Sequence, residues 1–158
     1  SRLSDERDLP VALAVLMTVG GTPSIYAGDE QAYRGEKQDR AGGDDAVRPA
    51  FPATPGELAP YGWAVYRLHQ ELIGLRRRHT WLANARVRQL HLTNEQFVYE
   101  TTDGTDTLVV ALNVADAVVD VPVAYGKGVL WGEAKLKRGG SAEATAQLAP
   151  HSGAVLER

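Results

Sequence analysis

Gly21-Thr-Pro-Ser-Ile-Tyr-Ala-Gly-Asp-Glu30 is the stretch on which the reading of this chain turns. Its segment Pro23–Gly28 is short, apolar at the centre and bounded by turn residues, which fits a buried strand. Upstream, Leu9–Val19 is a nearly unbroken apolar run. Asp5, Glu6 and Asp8 precede it, Pro10 falls in its first turn and Gly20-Gly21 ends it, the signature of a helix. Val11, Leu13, Val15, Leu16 and Val19 occupy nearly every side, so this helix is expected to pack against a sheet. Downstream, from Asp29 to about Pro60, eight glycines and prolines (Gly35, Gly42, Gly43, Pro49, Pro52, Pro55, Gly56 and Pro60) leave little room for regular structure, and long irregular loops in compact domains are functional or disordered. A second helix is predicted from Tyr61 or Trp63 to His79, because Val65, Leu68, Leu72 and Leu75 recur at helical spacing and Arg76–His79 meet the negative end of the dipole. Helix, strand, long loop, helix is the order of part of an α/β barrel.

Beyond Arg86 the period changes to two. Gln96–Glu100, Thr107–Asn113 and Val118–Val123 read as strands, with a hairpin at Thr102-Asp-Gly-Thr105 and shorter strands at Gly128–Trp131, Thr145–Leu148 and Gly153–Leu156. Strands joined by short turns without helices argue for an antiparallel sandwich. The expected fold is therefore α/β plus all-β. Residues 1–82 would form part of a (β/α)8 TIM barrel, its last part in the family resemblance that the Gly21–Glu30 stretch carries, and 83–158 a small antiparallel β-sandwich domain.

Composition narrows the function. The 158 residues are 44% hydrophobic and 23% charged with a net charge of −3, a globular balance without the excess of basic residues that draws a chain to nucleic acid or anionic lipid. Neither a nucleic-acid partner nor a membrane is expected, since the longest apolar run is about half the roughly 20 residues a bilayer requires. With no cysteine there is no disulfide framework and no thiolate site, and the compartment stays open. His69, His79, His91 and His151 show no ligand spacing, so no metal is expected. No serine sits in a Gly-x-Ser-x-Gly elbow, and no glycine-rich phosphate loop follows a strand, so no cofactor is expected either.

Three residues are candidates for substrate contact. Asp29 and Glu30 follow the predicted strand, where barrel enzymes collect acid, base and nucleophile carboxylates. Neighbours on an extended segment point to opposite faces, so the pair cannot easily serve one scissile bond; a structural hydrogen-bonding role is the favoured reading. Arg48, three residues after Asp45, could present a guanidinium fork to vicinal sugar hydroxyls. Trp63, Trp81 and Trp131 read as core packing.

The Gly21–Glu30 stretch resembles the eighth barrel strand of the α-amylase superfamily of glycoside hydrolases, in its Gly-x-Pro-x-Ile-Tyr-x-Gly-Asp-Glu pattern. In that resemblance Leu9–Val19 is similar to the seventh barrel helix and Tyr61–His79 to the eighth. Asp45-Ala-Val-Arg-Pro49 is similar to an arginine-bearing segment between them. Leu108–Asn113 and Leu148–Leu156 resemble the central and closing strands of the C-terminal sandwich. The resemblance implies an enzyme acting on α-glucosidic bonds by double displacement, with an α-glucan or small α-glucoside as substrate. It also implies that no catalytic residue lies in this chain: the Asn-His-Asp motif and the two other carboxylate motifs of the family do not occur, and Ser1-Arg2-Leu3 is similar to the sequence just after Asn-His-Asp. A C-terminal piece, inactive alone, is expected. Arg48 would match a sugar-clamping arginine, although relatives follow it with Pro-Met-x-Trp where this chain has Pro49-Ala-Phe-Pro52. The alternative from a different class is a non-catalytic carbohydrate-binding or interaction module.

Overall fold

The computed structural model describes residues 5–47, 50, 52–57, 60–124, 127–139 and 143–158. They fall into two compact units, one comprising Pro23–Glu71, the other 5–22 with Leu72–Arg158. The second carries eight strands: β1 (Arg86–Leu92), β2 (Gln96–Thr102), β3 (Thr107–Asn113), β4 (Val119–Ala124), β5 (Gly128–Gly132), β6 (Lys135–Arg138), β7 (Glu143–Leu148) and β8 (Ser152–Glu157). A five-stranded sheet runs β1-β2-β3-β8-β5 and a three-stranded sheet β4-β7-β6, every pair antiparallel.

Alternation along β3 decides the layering. Val109 and Ala111 join Val98, Ala154 and Leu156 against Val121, Val123, Ala144, Ala146 and Leu148 of the smaller sheet, closing a sandwich core. Leu108, Val110 and Leu112 point the other way with Tyr99 and Val155. That second face is covered by Val11 and Ala14 of helix α1 (Leu9–Thr18), by Leu75 at the end of helix α2 (Trp63–Arg78), and by Leu82 in a 3-10 segment, Thr80–Asn84. The central strand β3 and its neighbour β8 are thus buried on both faces, which is why Leu108–Leu112 is continuously apolar rather than alternating with polar residues.

Two polar groups against this second core, the Tyr99 hydroxyl and the Arg76 guanidinium, are paired. The Thr18 hydroxyl donates to the Ala14 carbonyl at 2.7 Å, so it is the acceptor for the Tyr99 hydroxyl at 2.5 Å. Burial pushes Tyr99 up to about 12, despite the bond to Thr18, and keeps it a donor. At the C-terminus of α1 the guanidinium of Arg76 donates to the carbonyls of Met17, Val19 and Gly21 at 2.8, 2.9 and 2.5 Å. It satisfies acceptors that a helix end leaves without partners. Gly20 is required there: a Cβ would sit 2.2 Å from the Ala85 oxygen.

Both helices and the strands expected beyond Arg86 are present. The strand expected over Pro23–Gly28 is not: residues 22–26 are irregular and Ala27-Gly28 form a turn. A strand exists only through ladder bonds to a neighbour, and none forms among the described residues 5–85 that could pair with it. The α/β half of the expected fold is therefore realised as helices and 3-10 turns, without a parallel strand. Conversely, β1 and β6 were not legible as strands. Both are sheet edges, and β6 (Lys-Leu-Lys-Arg) is exposed along its length, so no buried face imprints a period.

Two outcomes test this arrangement. Leu156→Ala, fully buried between the sheets, should lower unfolding stability by about 2–5 kcal/mol in urea titration. Amide exchange should be slow across Thr107–Asn113 and fast across Pro23–Gly28, where no ladder protects the backbone.

Candidate functional site

The unit Pro23–Glu71 contains the candidates Asp29 and Glu30. Its backbone turns sharply after Tyr26. Asp29 N–H donates to the Tyr26 carbonyl, while the Gln31 and Tyr33 N–H groups both donate to the Gly28 carbonyl, at 3.1 and 3.0 Å. Gly28 has φ 100°, which a residue with a side chain rarely adopts. The glycine between Tyr-Ala and Asp-Glu is thus what allows the chain to enter the 3-10 turn Asp29–Gln31.

That turn gives the two carboxylates different fates. Glu30 folds back on its own backbone: Oε2 accepts from Gly28 N–H at 2.9 Å and Oε1 from the Gln31 amide at 3.0 Å. Partial burial alone would push its carboxyl up. The bonds from Gln31 and Gly28, with a smaller contribution from His69, outweigh it and hold the group below the usual range. Glu30 is the brace of this turn. Asp29, one residue earlier, is exposed. Both lie within one 3-10 turn rather than on a pleated strand.

Gln31 carries a feature the sequence did not signal. Its side chain is buried, its amide nitrogen is engaged by Glu30, and its Oε1 has no hydrogen-bond partner among the described residues. The 3-10 turn Pro60–Gly62 lies against it, and a Cβ on Gly62 would approach the Gln31 carbonyl oxygen to 2.8 Å. His69, also buried, is bonded through Nδ1 to the Val65 carbonyl at 2.8 Å within α2. In the loop, Lys37 pairs with Asp44 at 3.0 Å and the Gln38–Gly43 turn closes on itself. Asp45 opens a 3-10 turn, Asp45–Val47. Arg48 lies outside the described residues, as does Ser1-Arg2-Leu3; of the candidates, Asp29 and Glu30 are described, as neighbours in one 3-10 turn. No group of three or more His, Asp or Glu side chains that could hold a metal occurs among the described residues, and no helix there is long and apolar enough to cross a membrane.

No family model matches the chain. Among curated proteins it is similar to the cyclomaltodextrin glucanotransferase of Geobacillus stearothermophilus, 33% identical over 109 residues, which is 69% of this chain and 14% of that protein. It is likewise similar to that of Bacillus sp. (strain 38-2), 31% identical over 110 residues with the same coverage. The chain therefore spans about one seventh of the length of these relatives. Among solved structures, the debranching enzyme from Nostoc punctiforme superposes with a TM-score of 0.74 at 22% identity, covering 98% of this chain and 31% of that one. The α-amylase from H. orenii gives 0.75 at 17%, covering 98% and 36%. A three-domain cyclomaltodextrin glucanotransferase, CldA, gives 0.70 at 24%, covering 98% and 33%. These last three likenesses concern the fold. The chain belongs to the α-amylase family, as a C-terminal portion of such an enzyme.

Proposed function

We propose that this chain is the non-catalytic C-terminal part of a retaining enzyme that hydrolyses or transfers α-glucosidic bonds in an α-glucan or small α-glucoside. The observation that carries the reading is the identity to cyclomaltodextrin glucanotransferases, 33% over 109 residues, in a chain that contains Gly21–Glu30. Residues 1–82 are assigned to the end of the catalytic barrel and 83–158 to the C-terminal sandwich. In this assignment Pro23–Gly28, which has no ladder partner here, becomes a strand when neighbouring barrel strands flank it.

Chemistry in such an enzyme needs a nucleophilic carboxylate and a carboxylic acid roughly 5–5.5 Å apart. Glu30 is unsuited to either role, since both of its oxygens are engaged by its own turn. Its contribution is to fix the direction in which the following loop leaves. Asp29, exposed beside it, is assigned to glucan contact, and Arg48 to the sugar hydroxyls, where a planar fork can hold two oxygens at once. Burial of the sheet's central strands between the helices and the smaller sheet supports a mechanical role for the sandwich, which holds α1 and the end of α2 in fixed register.

The purified 158-residue chain should release no reducing sugar from starch, maltooligosaccharides or nitrophenyl α-glucosides above buffer. A longer product of the same coding sequence, carrying the upstream carboxylates, should be active on at least one of them; turnover by the short chain that survives repurification would overturn the assignment. In that longer protein, Arg48→Ala should lower kcat/KM by tenfold or more, about 1.4 kcal/mol of transition-state binding, with the melting temperature unchanged. Wild-type kinetics would remove Arg48 from the site.

A further inference from the structure

His151 lies in the turn between β7 and β8. Its side chain is only 8% exposed, and its backbone has φ 48°, a left-handed conformation that a residue other than glycine keeps only when its surroundings impose it. The imposed contacts are two. Nδ1 lies 2.8 Å from Asp8 Oδ1, at the start of α1, and Nε2 lies 3.0 Å from Asp116 Oδ1, in the connection after β3. Asp8 occupies the cap position of α1 yet makes no capping bond with its side chain; its carboxylate is turned to the imidazole instead.

Hydrogen-bond chemistry fixes the charge. A neutral imidazole has one N–H and one lone pair, so it could donate to one carboxylate only and would turn its lone pair toward the other. Only the imidazolium satisfies both. The charged groups facing the ring are Asp8, Asp116, Arg7 and Asp5. Arg7 donates to Asp116 at 2.7 Å and to both oxygens of Asp5. The bonds to Asp8 and Asp116 raise His151 above the ordinary imidazole range, against desolvation and the repulsion of Arg7. Bonds from His151 and Arg7 hold Asp116 below the ordinary carboxylate range. Asp5 is drawn down to about 2, chiefly by the side chain of Arg7.

We propose that His151 is a proton-operated latch which, as the imidazolium, ties the first turn of α1 to the β7–β8 turn and the β3–β4 connection, and which releases that turn when the proton leaves. The direction follows from linkage. A group bound more tightly to its proton in the folded chain contributes stability that is fully present below its unfolded value, about 6.5 for histidine, and is lost as pH rises through the folded value. Asp116, shifted the other way, contributes above about 3.9 and loses its contribution as pH falls. The latch is closed in between and opens on the alkaline side, where Arg7 keeps Asp116 while Asp8 is set free.

The test uses the whole 158-residue chain. Imidazole nitrogen resonances followed from pH 5 to 10, with His151→Gln identifying the signal, should show both nitrogens of His151 protonated at pH 7 and a midpoint above the ordinary range. Asp116→Asn, at an 80% exposed side chain, should lower that midpoint by about one unit, a tenfold change in proton affinity. Protection factors of the Leu13 and Ala14 amides, measured relative to Val110 in β3, should fall about tenfold across the wild-type midpoint, and this step should vanish in His151→Gln. A midpoint at or below the ordinary value would overturn the proposal. A raised midpoint without the step in α1, or a step that persists in His151→Gln, would do the same, because the contact would then be a static ion pair.

Discussion

The central strand Thr107–Asn113 has no face toward water, and the rest of the second unit follows from that constraint. An ordinary sandwich strand buries every other residue; here each successive side chain from Leu108 to Leu112 must find an apolar neighbour. The two sides differ in size. Val109 and Ala111 meet small and branched residues of the smaller sheet, whereas Leu108, Val110 and Leu112 meet Tyr99 and the helices. A one-residue slip would exchange large for small across both interfaces, so packing volume sets the register where polarity cannot.

Such burial demands that polar groups be matched locally. Tyr99, Thr18 and the Ala14 carbonyl form a directional chain from sheet to helix, and Arg76 occupies three carbonyls with one planar group. A lysine at 76 would offer a single ammonium on a different geometry, so the exchange would not preserve this cap. Glu100, buried in β2, is held by Arg88 on the adjacent strand and by Arg158. Removing either arginine would leave a buried carboxylate short of a partner, which costs more than the pair itself contributes.

What the sequence disclosed depended on whether burial left a period behind. Thr107–Asn113 was legible because its centre is apolar without a break, α1 because acidic residues, a proline and a glycine pair marked its limits, and α2 because Val65, Leu68, Leu72 and Leu75 recur at helical spacing. The edge strands β1 and β6 were not, since exposed Arg, Gln and Lys positions carry no alternation. Pro23–Gly28 misled for the opposite reason: its composition suits a strand, but strand formation depends on a neighbour that composition cannot supply. At the candidate site, Asp29 and Glu30 were singled out by position, and the structural reading of Glu30 followed from geometry that a glycine with positive φ creates. Nothing in a lone glutamine at 31 announced a buried side chain whose Oε1 has no partner among the described residues.

The order of strands in the larger sheet has a kinetic consequence. Strand β8, the last in chain order among the described strands, lies inside the sheet between β3 and β5, with Val109 facing Leu156, 47 positions further along the chain. Until β8 arrives, β3 and β5 are two unpaired edges with apolar faces, a template for adhesion to other chains. Closure of so long a loop comes late and slowly. The chain is thus most exposed to aggregation in the interval before its final strand inserts, and conditions or chaperones that shield the waiting edge of β3 would raise folding yield more than any strengthening of the finished sheet.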